Sequence, residues 1–208
     1  MKSVEGHYLT FLPERYSSNK SWPLVLFLHG RDERGDDPRR VKTHGLPKLA
    51  DNGRCFPFVL IAPQCPKGRT WSVDFLESVL ADVLGRFRVD PNRIVLTGIS
   101  MGGNGAWRLA IRHPNRFAAL VPIAAWGDKR RIVRLKPVPV WAFHGGGDRV
   151  VPLRDGRAMT DALKKAGGRV KFTVYKTADH VQTWERAYAS EALYRWMLRQ
   201  KRESVTSS

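Results

Sequence analysis

The sequence lacks any long hydrophobic run. Its longest apolar stretch, residues 23–28 with their neighbours, is far shorter than the roughly 20 apolar residues that a membrane-spanning helix needs. Near the N-terminus, Glu5, Gly6 and His7 stand where a signal peptide would require an apolar core. We therefore expect a cytoplasmic protein that does not insert into membranes.

Cysteine is also scarce, because only Cys55 and Cys65 occur in the 208 residues. The segment between them is predicted to be a buried strand. At about 3.3 Å per strand residue, this strand would hold the two sulfurs too far apart for a disulfide. No second pair of candidate ligands lies nearby, which argues against zinc. The sequence thus predicts two reduced thiols and no metal site.

Acidic residues are few: the sequence contains 19 Asp and Glu but 36 Lys and Arg, which gives a net charge of +17. Such an excess is compatible with a nucleic-acid partner, an acidic surface or an anionic substrate. The basic residues are dispersed, however, and cluster only at 128–136 and 199–202. No helix-turn-helix, zinc-finger or RNP-like pattern accompanies them. We interpret the charge as a basic solvated surface and expect no nucleic-acid partner.

What is present is an alternation of apolar, β-branched runs with helix-like segments, which indicates an α/β protein. Strands are predicted at residues 7–13, 24–29, 58–63, 93–98, 118–124, 140–145 and 171–176. Helices are predicted at residues 74–87, 102–113, 155–167 and 184–200. The later strands are almost continuously apolar, as expected of parallel strands covered on both faces. The predicted fold is a doubly wound, mostly parallel sheet with helices on both faces and a leading antiparallel strand.

The length of 208 residues suits one domain, because it allows a substantial core without disulfide or metal staples. The sequence contains no internal repeat, low-complexity block or linker. We assign residues 1–201 to a single α/β domain and residues 202–208 to a flexible C-terminal tail.

A serine stands at the junction of a predicted strand and helix, in the stretch "VLTGISMGGNGAW" at residues 95–107. Gly98, Ser100 and Gly102 form the pattern G-x-S-x-G, in which the serine occupies a sharp, strained turn above the carboxyl edge of the sheet. The helix that follows points its N-terminus at this position, which favours developing negative charge. A serine that merely caps the helix is the alternative. The strand–turn–helix context favours a nucleophile.

A serine nucleophile needs a general base, which a carboxylate orients, and in this architecture the acid and the histidine follow the serine in that order. Asp148 lies just past one predicted strand and His180 just past the next. Asp128, beside basic residues, and Asp179, adjacent in sequence to His180, are weaker candidates for the acid. We predict that Ser100, Asp148 and His180 are the catalytic residues.

The tetrahedral intermediate of acyl transfer requires hydrogen-bond donors. One is expected from the backbone N–H of Met101, directly after the serine, and the other from the backbone N–H of Arg31, after the strand that ends in His29-Gly30. His29 and His144 each end a predicted strand in the pair "HG". We interpret both histidines as braces for their loops rather than as proton carriers.

With these residues in hand, the chain resembles the α/β-hydrolase superfamily and, within it, the phospholipase/carboxylesterase and dienelactone-hydrolase-like single-domain esterases. The resemblance covers most of the chain and runs through "PLVLFLHGRDERGDD", "FVLIAPQCPKGRTW", "VDPNRIVLTGISMGGNGAW", "HPNRFAALVPIA", "PVPVWAFHGGGDRVVP" and "DHVQTWERAY". Relatives often have small residues after the first "HG", whereas Arg31 and Asp32 occupy those places here. The resemblance implies a serine carboxylesterase.

The predicted substrate follows from what surrounds the serine. Residues 125–139, about 15 residues between two predicted strands, are too few for a folded helical cap. An open site favours small, soluble esters with short acyl chains, hydrolysed through an acyl-enzyme without metal or organic cofactor. A serine peptidase and a feruloyl or acetyl-sugar esterase are the alternatives on this scaffold. Trp71, Trp126 and Trp184 are candidates for the substrate pocket, with a plain core role equally compatible.

Overall fold

The structure is a computed structural model that describes residues 8–202. Its strands are β1 (Tyr8–Phe11), β2 (Trp22–Leu28), β3 (Val59–Pro63), β4 (Val89–Ile99), β5 (Ala119–Ile123), β6 (Val140–Gly145) and β7 (Val170–Tyr175). They form one seven-stranded sheet in the order β1-β3-β2-β4-β5-β6-β7. Only β1 is antiparallel to its neighbour, and all other neighbouring pairs are parallel. The seven predicted strands and the leading antiparallel strand are confirmed.

Helices cover both faces of the sheet. They are α1 (Gly45–Asp51), α2 (Val73–Arg86), α3 (Met101–Arg112), α4 (Leu153–Lys165), α5 (His180–Ala189) and α6 (Glu191–Arg199), with short 3₁₀ segments at Pro38–Thr43, Pro114–Arg116 and Lys129–Leu135. One core cluster packs α2, α3 and α4 against the sheet, and the other packs α1, α5 and α6 against the opposite face. Along β2, Leu24 and Leu26 belong to the first cluster and Val25 and Phe27 to the second, as the alternation of strand side chains requires. The predicted two-sided architecture is confirmed.

The predicted helix at 184–200 is in fact two helices, because the chain leaves helical geometry at Ser190. The apolar pattern does not show this break, since buried side chains continue on both sides of it: Trp184 and Tyr188 in α5, Leu193 and Met197 in α6. Neither glycine nor proline marks the position. The short helix α1 was not predicted from the sequence either.

The connection between β5 and β6 contains only the 3₁₀ segment Lys129–Leu135. Cys55 and Cys65 are both free thiols, as predicted. Within residues 8–202, no helix is long and apolar enough to cross a membrane. Of the predicted tail, Arg202 hydrogen-bonds Asn92 through its backbone N–H and its guanidinium, and residues 203–208 lie outside the described residues.

Candidate active site

Ser100 lies in the turn between β4 and α3, at the carboxyl edge of the sheet. Its backbone has φ 53° and ψ −119°, a region that residues other than glycine rarely occupy. The strained backbone is held by a 2.9 Å hydrogen bond from the Ser100 N–H to the carbonyl of Ile123. Although Ser100 precedes α3, its side chain makes no capping hydrogen bond. The interpretation of this serine as a simple helix cap is therefore not supported.

The glycines on either side of the serine are required by the close approach of backbone segments. A Cβ atom on Gly98 would lie 2.4 Å from the carbonyl oxygen of Gly102, and a Cβ atom on Gly102 would lie 2.0 Å from that of Leu28. Both distances are well below van der Waals contact. Any larger residue at either position would push α3 away from β2 and β4 and displace the serine.

Two further side chains at the same edge of the sheet form a hydrogen-bonded row with the serine. His180, the first residue of α5, places Nε2 2.9 Å from Oγ of Ser100. Its other ring nitrogen, Nδ1, lies 2.6 Å from Oδ2 of Asp148, which follows β6. The structure thus brings together the three residues predicted to be catalytic. Because Nδ1–H donates to the carboxylate, the lone pair of Nε2 faces the serine hydroxyl, the arrangement needed to accept its proton.

The carboxylate of Asp148 is fully buried but well satisfied. Its Oδ1 accepts hydrogen bonds from the backbone N–H groups of Val150 and Val151, both at 2.9 Å. Burial alone would raise the pKa of Asp148, but the hydrogen bonds from His180, Val151 and Val150 outweigh it and lower the pKa below its ordinary value. An ionised Asp148 stabilises an imidazolium on His180.

The competing candidates are engaged elsewhere. Asp179 caps α5 by accepting the N–H of Gln182 at 2.8 Å. Asp128 pairs with Arg130 at 2.6 Å on the surface. His144 lies beneath the Asp148 loop, with Nε2 3.0 Å from the carbonyl of Val151, which fits its predicted bracing role.

The loop after β2 is braced at five consecutive carbonyl groups. Each accepts a side-chain hydrogen bond: His29 from Trp71 Nε1 at 3.1 Å, Gly30 from His29 Nδ1 at 2.6 Å, Arg31 from Arg34 Nε at 2.8 Å, Asp32 from Arg40 at 2.7 Å, and Glu33 from Gln64 Nε2 at 2.8 Å. In a trans peptide the C=O and the following N–H point in opposite directions. The bond to the Gly30 carbonyl therefore also fixes the direction of the Arg31 N–H.

A cavity of about 680 Å³ opens above Ser100 and His180. Arg31 and Met101, the residues predicted to supply the oxyanion donors, both line it. Its wall includes Trp184, whose ring centre lies 5.0 Å from that of His180. Trp126, which is 38% exposed, also lines the cavity. The volume is in the range of small-molecule sites.

Trp71 is not among the residues that line this cavity, and its position fits the core role that the sequence left open. Its side chain is only 2% exposed and packs in the core below the loop. Its side chain packs against Gly105, since a Cβ atom added to that glycine would lie 2.8 Å from Cβ of Trp71 and 2.9 Å from its ring. An isolated tryptophan in a predicted loop has no periodic pattern that separates a pocket wall from a core residue, so the sequence left both roles open.

Glu33 is a buried carboxyl in the wall of the same cavity, and it was not predicted from the sequence. Its oxygens lie 3.8 Å from Nδ1 of His29 and 3.9 Å from Nε2 of His44. Burial raises the pKa of Glu33 above its ordinary value. No pattern in a single sequence distinguishes this glutamate from a surface one. Among the described residues, no cluster of His, Cys, Asp and Glu is suited to a metal ion.

The chain is similar to proteins described as esterases. Residues 48–141 match the family model described as "Putative esterase". The chain is 30% identical over 185 residues to "Putative esterase NocK" of Nocardia uniformis, covering 79% of this chain and 51% of that protein. It is 26% identical over 178 residues to "Feruloyl esterase D" of Neurospora crassa, covering 77% and 59% respectively. The chain thus spans between half and three fifths of these relatives' lengths.

The same similarity holds among solved structures. A thermostable esterase superposes with a TM-score of 0.81 at 30% sequence identity, over 94% of this chain and 59% of that one. The overall fold described above is therefore that of a known esterase structure.

Proposed function

Because the chain has the α/β-hydrolase fold, we propose that it is a carboxylic ester hydrolase that uses a Ser-His-Asp triad. The observation that carries the proposal is the hydrogen-bonded row from Asp148 through His180 to Ser100. A serine hydroxyl is a poor nucleophile at neutral pH, and this row supplies both the base and the group that orients it.

The proposed reaction proceeds in two halves. Nε2 of His180 takes the hydroxyl proton as Oγ of Ser100 attacks the ester carbonyl, and the same proton then passes to the leaving alcohol. Cleavage of the C–O bond leaves the acyl group on Ser100. Water, deprotonated by His180, attacks this acyl-enzyme and releases the carboxylic acid, and the serine regains its proton.

The backbone N–H groups of Met101 and Arg31 are proposed to stabilise the oxyanion. Met101 begins α3, so its N–H belongs to the first turn, whose amides have no partner within the helix. The braced loop supports the second donor, because the bond from His29 to the Gly30 carbonyl sets the orientation of the Arg31 N–H. Donors that are already oriented lower the cost of charge development in the transition state.

The proposed substrates are soluble esters with short acyl groups. The cavity is open, and three exposed apolar side chains, Trp126, Val150 and Val181, stand at its rim. A feruloyl ester is the second candidate, because an exposed indole provides a stacking surface for an aromatic acyl group. The single domain over residues 1–201 and the cytoplasmic location remain predictions.

One substrate panel tests these proposals: 4-nitrophenyl acetate, butyrate and octanoate, methyl ferulate and a peptide 4-nitroanilide. We expect kcat/KM to be highest for the acetate or butyrate ester. We also expect a fluorophosphonate to label Ser100, as detected by mass spectrometry, and to abolish turnover. Preference for methyl ferulate would replace the short-chain proposal by the feruloyl one. Cleavage of the anilide alone would contradict ester hydrolysis.

A further inference from the structure

A second cavity, of about 690 Å³, lies between the outer face of α3, the start of α2 and the 3₁₀ segment Lys129–Leu135. We call it the arginine groove. Its walls contain five arginines: Arg108, Arg112, Arg130, Arg131 and Arg134. Among the described residues, the only carboxylate in these walls is Asp128. The groove therefore has a strong excess of positive charge.

Little of this charge is neutralised within the chain. Asp128 is occupied by Arg130, whose Nε lies 2.8 Å from Oδ2. Arg108 donates to the carbonyl of Trp71 and Arg134 to that of Arg112, both at 3.1 Å, and carbonyl groups carry no net charge. In residues 8–202, no carboxylate lies within ion-pair distance of the four arginines other than Arg130.

The backbone that carries Arg130, Arg131 and Arg134 is anchored on the core. Ile132 and Leu135 are buried and anchor the 3₁₀ segment on the core. The carboxylate of Asp128 caps the start of this segment by accepting the N–H of Arg130 at 3.0 Å. Holding like charges together costs electrostatic free energy, which an anionic ligand would offset.

The groove adjoins the catalytic cavity. Asn104 lies in the wall of the groove, one helical turn beyond Ser100, and its amide donates to the carbonyl of Trp126 at 3.2 Å. Trp126 in turn lines the catalytic cavity. At about 1.5 Å per residue, Arg108 and Arg112 follow Ser100 along α3 by about 12 and 18 Å. Only an extended ligand can reach both the serine and these arginines.

We propose that the arginine groove binds the anionic part of an extended ester substrate that carries carboxylate groups along its length. This inference rests on the proposed ester hydrolysis at Ser100. Guanidinium groups match the geometry of carboxylates through paired hydrogen bonds. Trp107, the groove's aromatic residue among those described, is buried, so the bases of a nucleic acid would find no stacking platform.

Binding can be tested without catalysis. Isothermal titration calorimetry with unesterified oligogalacturonate at low ionic strength would compare the wild type with R131Q/R134Q. The control is R195Q/R199Q, which removes the same charge from exposed positions on α6, on the opposite face of the sheet. We expect the groove variant to weaken binding about tenfold or more, as the loss of two charge-assisted contacts implies, and the control to weaken it less than twofold.

Equal weakening in both variants would overturn the proposal, because net charge rather than the groove would then bind the anion. The same holds if wild type shows no measurable binding. Tighter binding of single-stranded DNA than of oligogalacturonate, lost only in R131Q/R134Q, would overturn the assignment to a carboxylate-bearing ligand.

Activity then connects the groove to the serine. For acetylated oligogalacturonate, R131Q/R134Q is expected to raise KM about tenfold with kcat unchanged, while hydrolysis of 4-nitrophenyl acetate stays within twofold of wild type. An unchanged KM for the acetylated oligomer would contradict the substrate role. If wild type binds the oligomer in the groove but hydrolyses neither ester, the ester hydrolase proposal fails while the anion site remains.

Discussion

The backbone N–H of Cys65 donates a 2.9 Å hydrogen bond to Nε2 of His29. This bond places the ring hydrogen on Nδ1, which donates to the carbonyl of Gly30 at 2.6 Å. Burial lowers the pKa of His29 to about 4, so the ring is neutral at pH 7. A buried neutral histidine thus links β3 to the loop that carries the proposed oxyanion donor of Arg31.

The first prediction concerns the variants His29→Ala and His29→Asn. We expect His29→Ala to lower kcat about tenfold or more with a smaller change in KM, because the Gly30–Arg31 peptide loses its fixed orientation and an oxyanion donor is lost in part. His29→Asn retains a donor close to the position of Nδ1 and should recover much of kcat. Steady-state kinetics on 4-nitrophenyl acetate measure both.

A thermal melt of each variant is the control for folding. A folded His29→Ala protein with wild-type kcat would show that the orientation of this peptide does not matter for catalysis.

The second prediction is a pH dependence of stability that originates at His29. Its folded-state pKa, about 4, lies below the ordinary value of 6.5. Protons therefore bind the unfolded chain more tightly, and the free energy of unfolding falls as the pH drops from about 6.5 towards 4. Between pH 7 and pH 5 we expect His29 to account for a loss of about 2 kcal/mol. Urea unfolding of wild type and His29→Asn at both pH values measures it.

The stability that depends on neutral His29 is fully present above pH 6.5 and is lost as the pH falls towards 4. His29→Asn should therefore lack only the part of the decrease in unfolding free energy that His29 causes. An identical decrease in wild type and variant would mean that His29 titrates normally in the folded protein.

The third prediction separates two tryptophans. Trp71→Phe removes the donor to the His29 carbonyl in the core, so we expect it to lower the free energy of unfolding by about 1–3 kcal/mol with KM unchanged. Trp126→Ala changes an exposed side chain at the cavity rim and should raise KM for aromatic esters severalfold with stability changed by about 0.5 kcal/mol or less. Chemical denaturation and ester kinetics on both variants measure these effects. A raised KM in Trp71→Phe together with a loss of stability in Trp126→Ala would contradict the two roles.

The periodicity of the sequence predicts the strands well because parallel strands covered on both faces are nearly continuous apolar runs, as in β3 and β5. The spatial order of the strands cannot be obtained from periodicity, since it depends on which edges pair. Ser100, Asp148 and His180 could be proposed because each follows a strand, and the carboxyl ends of parallel strands share one edge of the sheet.

Residues whose roles depend on long-range contacts could not be predicted in this way. Gln64, Cys65 and Trp71 brace the loop after β2 through hydrogen bonds that join segments 31 or more residues apart in sequence. Glu33 is buried because the loop folds over it, which no local pattern reveals. The break at Ser190 interrupts a continuous apolar stripe. These features arise from packing, and only the folded arrangement shows them.

Turnover of 4-nitrophenyl butyrate by Ser100→Ala tests most directly whether Ser100 is the nucleophile. We expect kcat/KM to fall by about a thousandfold or more, since the row from Asp148 through His180 would have no hydroxyl to activate. The circular dichroism spectrum and melting temperature should match those of wild type. Undiminished turnover by the folded variant would contradict the account.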